Sequence, residues 1–224
     1  MVYNDLIYEY LIQNGATLVG FADLSVLPKE IRLGYRYGIS IGVALDPKIV
    51  SKIPTGPHMA YYDECNNVLG RLNPLAQGVV ALIEQKDYDA FPQIKRNTHR
   101  DNDHRTRLPH KTIATLSGLG WIGKSALLIN EIYGGAVRYT SVLTNMPLEV
   151  GQPITESLCG DCSLCAMQCP AKTIRGNNWI VGMDREELLN AHQCKQTVLE
   201  RGKALGITHA SCGMCVAVCP YTQG

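Results

Sequence analysis

Apolar residues recur three and four apart along residues 4–13. Leu6, Ile7, Tyr10 and Leu11 would share one helix face there, and Gly15 can end the helix. Residues 17–21 read as a strand. Residues 39–45 form a second apolar run of strand length, closed by Asp46-Pro47. Over 57–85 the helical period returns in Tyr62, Cys65, Leu69, Leu72, Ala76, Val79 and Ile83, with Pro74 where such a helix would kink or divide. Residues 91–108 are charged and without period, which predicts a loop. Residues 111–116 read as a short helix running into Gly118. Residues 126–130 and 137–143 read as two strands of a hairpin turning at Tyr133-Gly134-Gly135. Helices mixed with local hairpins and distant strands predict an α+β fold, with helices on an antiparallel or mixed sheet.

This pattern fades near residue 153, where cysteines take over. Cys159, Cys162, Cys165 and Cys169 stand as C-x2-C-x2-C-x3-C before Pro170, and Cys212, Cys215 and Cys219 as C-x2-C-x3-C before Pro220. Cys194 lies between them. Such a run wraps three thiolates around one 4Fe–4S cubane and aims the cysteine before the proline at a second. The spacing therefore predicts an interleaved assignment. Cluster 1 takes Cys159, Cys162, Cys165 and Cys219. Cluster 2 takes Cys169, Cys194, Cys212 and Cys215, with Cys194 completing a run that lacks a third close cysteine. Structural zinc uses paired knuckles, and a disulfide framework suits a small secreted scaffold, so neither accounts for eight cysteines in this order. The ninth, Cys65, lies on the long helical stretch and reads as a small buried hydrophobe.

The expected organisation is an α/β sheet domain over 1–152, open to a corrinoid or a partner, followed by a two-cluster ferredoxin-like domain over 153–224. Apolar residues make up 46% and charged residues 18% of the 224, and no run has the length of a membrane span. Residues 1–10 carry Asp5 and Glu9 and no basic leader, which predicts a cytoplasmic protein with no membrane partner. The formal charge of +1 shifts by roughly −4 with two oxidised cubanes on thiolates, the opposite of a nucleic-acid binder. Arg96, His99, Arg100, His104, Arg105, Arg107 and Lys111 form one basic cluster, diluted by Asp101 and Asp103. A solvated loop and a site for an anion are both open readings of it.

Residues 118–124, GLGWIGK, place three glycines in six residues beside Trp121 and Lys124. The glycines allow close approach of the backbone to a flat or bulky group, or mark a helix end followed by a strand. Their offsets are wrong for a phosphate-binding P-loop. Of the scattered histidines, His104 and His110 are the candidates for acid chemistry, while Tyr61 and Tyr62 read as packing residues.

KTIA at 111–114, then GLGWIGK, then LLIN at 127–130, CGDCSLCAMQCPAKTI, LLNAHQC and CGMCVAVCPY follow in an order that resembles epoxyqueuosine reductase and its relatives. These are cobalamin-dependent iron–sulfur reductases that include the reductive dehalogenases. The resemblance is clear over residues 111–221. It implies eight cluster cysteines and an electron path through two cubanes to a base-off cobalamin on the amino-terminal domain. It also implies that Gly118, Gly120, Trp121, Gly123 and Lys124 lie against the corrinoid. An electron donor of ferredoxin or flavodoxin type and a small-molecule substrate would complete the system. The family's acid is an aspartate in Asp-Ser-x-Pro. This sequence has none, and Asp103 and His104 stand nearest that position. The family's epoxyqueuosine reductases continue past the last cysteine into a helical repeat domain that grips transfer RNA. This sequence ends at Gly224, so transfer-RNA binding by this chain alone is not expected. A two-cluster electron carrier or accessory protein without corrinoid is the alternative.

Overall fold

A computed structural model describes residues 2–53, 56–209 and 211–223. The fold is α+β, with a sheet in the amino-terminal part and a cysteine-rich carboxy-terminal part. Helix α1 (Val2–Gln13) ends at Gly15, whose φ of +92° suits glycine. Strand β1 (Leu18–Asp23) pairs antiparallel with β2 (Tyr37–Ala44), Leu18 opposite Gly42 and Asp23 opposite Tyr37. Asp46 then caps α2 (Pro47–Val50), accepting a hydrogen bond from the Lys48 amide at 2.8 Å, with Pro47 in the first turn where its missing amide costs nothing. Helix α3 (Met59–Glu84) is continuous and contains Pro74.

Two sequence expectations need correction. The stretch 91–108 is not all loop, because β3 (Ala90–Pro92) opens it and pairs antiparallel with β6 (Val137–Thr144). Nor do residues 126–130 and 137–143 form a hairpin. Strand β4 (Trp121–Ile122) takes β5 (Leu128–Ile129) as its partner, while β6 joins a four-stranded sheet of order β1-β2-β6-β3. The turn at 130–134 survives as an isolated bridge between Asn130 and Gly134. Alternation showed that both segments were strands, but pairing was decided by burial, since six residues of β6, Val137 and Thr140 to Thr144, fit a sheet interior better than a short exposed ribbon.

The chain resolves into two compact units. The first holds residues 1–44, 68–119 and 138–154, and the second 45–67, 120–137 and 155–224. The second thus adds two upstream segments to the carboxy-terminal stretch expected to stand alone. In the first unit, helix α4 (His110–Leu116) packs on the β1–β2 ribbon through Ile113, in a core with Ala22, Leu24, Leu108 and Leu143. Gly38 is needed there, because a Cβ would sit 2.9 Å from Ile113 and 3.1 Å from Leu24.

The second unit carries short helices α5 (Leu164–Met167) and α7 (Met214–Ala217), in contact with each other. Helix α6 (Ala191–Gly202) lies between them in sequence, and α8 (Pro220–Gln223) follows. Among the described residues, no helix is long and apolar enough to cross a membrane.

Candidate functional site

Two local repeats position the cysteines. Cys162-Ser-Leu-Cys165 and Cys212-Gly-Met-Cys215 each enter a single helical turn that holds the second cysteine, and each ends at Cys-Pro. The turns close alike: Ala166 and Met167 amides donate to the Ser163 carbonyl, and Val216 and Ala217 amides to that of Gly213. Gly213 has φ +80°, and a Cβ on it would lie 2.6 Å from Ile53 and 2.8 Å from Tyr61, so segment 45–67 is packed hard against the second repeat. Cys194 comes from the first turn of α6, which the hydrophobic pattern did not reveal. Its signal was the Asn190 cap, whose side chain accepts from the Gln193 amide at 3.0 Å.

The eight thiols fall into two groups. Burial pushes Cys165 up to about 11, and repulsion from Cys159, Cys219 and Cys162 adds to it. Burial likewise raises Cys194, with repulsion from Cys169 and Cys212. Cys215 is driven furthest up, by burial first and then by Cys194 and Cys212, with Cys165 and Cys169 adding less. Burial raises Cys219, aided by Cys159, and Cys212, aided by Cys169 and offset by Arg201. At Cys169 burial is outweighed by hydrogen bonds from the backbone and side chain of Thr173, which leave it below the ordinary thiol value. Cys165 therefore feels Cys159, Cys162 and Cys219, while Cys194 and Cys215 feel Cys169 and Cys212.

The raised thiols, Cys165, Cys194, Cys212, Cys215 and Cys219, resist ionisation unless a cation neutralises them. Among the described residues, no three His, Cys, Asp or Glu side chains converge closely enough to hold one metal ion. Zinc would draw its sulfurs to about 3.8 Å from one another. A cubane carries its thiolates at four outer corners, farther apart, so this donor set fits a cubane and not a zinc knuckle.

The GLGWIGK residues are used by packing. Gly118, at φ +77°, ends α4 and lies against the Gln152 carbonyl, 2.7 Å from where a Cβ would be. At Gly120 a Cβ would collide with the Ile129 carbonyl. At Gly123 it would lie 2.6 Å from the Ile129 side chain and 3.5 Å from Cys159 Sγ. Trp121 is wholly buried, with its ring edge-on to Tyr221 at 4.9 Å and its Nε1–H donating to Cys159 Sγ at 3.4 Å. Lys124 is 6% exposed. Of the five, Gly118 is exposed, whereas Gly120, Trp121, Gly123 and Lys124 are buried.

Asp103 is exposed, at the tip of a turn closed by the Arg100–Thr106 bridge. His104 is half-buried beside it at φ +60°, a region histidine tolerates better than most residues. His110 lies elsewhere, at the start of α4. Burial pushes its imidazole down to about 4, helped by Arg100, and Nδ1 meets Ser141 Oγ at 2.9 Å. Gln93, whose amide donates to the Ser141 carbonyl, extends this polar group. Gln93 Oε1, the Tyr139 hydroxyl and Ser40 Oγ are buried without a hydrogen-bond partner among the described residues. Polar residues inside strands carried no signal that could have found them. Cys65 is buried as expected.

Residues 158–222 match a family described as a 4Fe-4S double cluster binding domain. That gives the class of this segment: a double-cluster iron–sulfur domain. More particularly, the chain is similar to epoxyqueuosine reductases and reductive dehalogenases over part of their length. It is 28% identical over 148 residues to the epoxyqueuosine reductase of Listeria monocytogenes, covering 65% of this chain and 37% of that one. It is 36% identical over 118 residues to the tetrachloroethene reductive dehalogenase of Sulfurospirillum multivorans, covering 50% and 23%. A reductive dehalogenase structure described as suggesting a mechanism for B12-dependent dehalogenation shares its fold, with a TM-score of 0.70 at 17% identity over 97% of this chain and 31% of that one. The chain spans 37% and 52% of the first two epoxyqueuosine reductases it matches.

Proposed function

We propose that the protein is an iron–sulfur oxidoreductase that passes electrons through two 4Fe–4S clusters to a cobalamin-type cofactor, for the reduction of a substrate. The carrying observation is the match of residues 158–222, which hold eight cysteines in two Cys-Pro-ended repeats and Cys194, to a 4Fe-4S double cluster binding domain. Cys159, Cys162, Cys165 and Cys219 would hold one cubane, and Cys169, Cys194, Cys212 and Cys215 the other. When bound, the cubanes supply a one-electron relay. The chain's own residues do the rest. Cys169 and Cys219, each before a proline, cross between the repeats and tie the two sites into one body. Burial of Cys169, Ala171 and Ile174, with Cys215 packed against them, keeps water from the second site. Leu158, Leu164 and Met167, exposed near Cys162 in the sequence, suit an electron donor of ferredoxin or flavodoxin type.

The cobalamin step rests on the likeness to the B12-dependent relative and not on the GLGWIGK side chains, so no chemistry is derived through it. That burial favours a second reading, a two-cluster electron-transfer or accessory protein without corrinoid. Anaerobic reconstitution followed by cob(II)alamin titration separates the two. Full iron and sulfide for two cubanes with retained corrinoid supports the first. Full clusters without corrinoid uptake supports the second. A colourless, iron-free product after feeding iron and sulfide removes both.

A further inference from the structure

We propose that Trp121 tunes the reduction potential of the cubane bound through Cys159, by donating its indole N–H to that ligand's sulfur. The inference rests on the reading of Cys159 as a cluster ligand. The indole is wholly buried, and a buried Trp N–H needs an acceptor. Cys159 Sγ, 3.4 Å away, provides it. A thiol sulfur accepts weakly, whereas a metal-bound thiolate is a charge-assisted acceptor. The bond therefore favours the ligating form.

The indole is also fixed rather than adaptable. Trp121 pairs with Ile129 across β4–β5, Gly120 lies against the Ile129 carbonyl, and Tyr221 meets the ring edge-on. Gly123 lies against the Ile129 side chain, 2.6 Å from where a Cβ would be. Gly120 and Gly123 thus both close on Ile129, the residue opposite Trp121. One electron from the donor takes a thiolate-ligated cube from about −2 to about −3. An N–H aimed at its sulfur stabilises the reduced state more than the oxidised one, so Trp121 raises the midpoint. Trp121 touches a ligand and not the reacting centre, so it is a positioning residue.

The test is an anaerobic dithionite titration of reconstituted wild type and Trp121→Phe, followed by electron paramagnetic resonance. The expected result is two clusters in both proteins, one midpoint moved to more negative potential and the other unchanged. Proton ENDOR of the reduced protein should also lose one solvent-exchangeable coupling. Unchanged midpoints, or an equal shift of both, overturn the inference while leaving the cluster assignment standing. If the variant assembles no iron, fluorotryptophan incorporated into Trp179→Phe protein decides, because the chain has two tryptophans and only Trp121 would remain. The more acidic indole should move the same midpoint positive, and no movement overturns the inference. A wild type that binds no cubane overturns the underlying reading and this one with it.

Discussion

His110 shows how a site residue changes character on folding. In the sequence it was a candidate for acid chemistry, yet the fold holds it neutral against Ser141. Its imidazole falls from the ordinary 6.5 to about 4. The unfolded chain therefore binds the extra proton first, so stability contributed by neutral His110 is present above pH 6.5 and lost as pH falls from there toward 4, by at most about 3 kcal/mol. In a pH series by NMR its ring proton should stay flat down to about pH 5. A midpoint near the ordinary value would contradict the buried neutral ring. Glycines separate in the same way. Gly120→Ala should cost about 1–3 kcal/mol or more in chemical denaturation, because its Cβ meets a backbone carbonyl with no room to give. Gly160→Ala, with open space and φ +53°, should cost only about 1 kcal/mol from backbone strain.

Among the elements, α6 is the informative one, because a single first-turn residue, Cys194, couples it to the thiols of the second group. Cys194→Ala should halve the bound iron and leave one cubane signal intact. Full iron in that variant, or loss of both clusters, would refute the interleaved assignment. The helix was illegible because its apolar face is narrow, Val198 and Gly202 being its buried residues. The capping signal at Asn190 was present but outweighed by the polar composition. Helices α1, α3 and α4 were legible to within a few residues, since each carries a wide apolar face against a core.

At the scale of the molecule, ligation should be coupled to the folding of one unit more than the other, because eight ligands lie in residues 159–219 and the four-stranded sheet lies elsewhere. Chelation of the reconstituted protein should collapse amide protection across 155–223 and spare β1 and β2, as read by hydrogen exchange. Uniform loss through the chain would show a single cooperative body. The double-cluster segment and most strand and helix segments were set by local order: cysteine spacing obeys the size of a cubane, and hydrophobic period obeys the geometry of one element. Partners were not local. That β4 takes β5 while β6 enters the large sheet, that segments 45–67 and 120–137 join the cysteine-rich unit, and that the Trp121 indole turns to a sulfur thirty-eight positions away were decided by the tertiary structure. Which surfaces bury one another depends on contacts between distant residues, and periodicity along a chain carries no record of them.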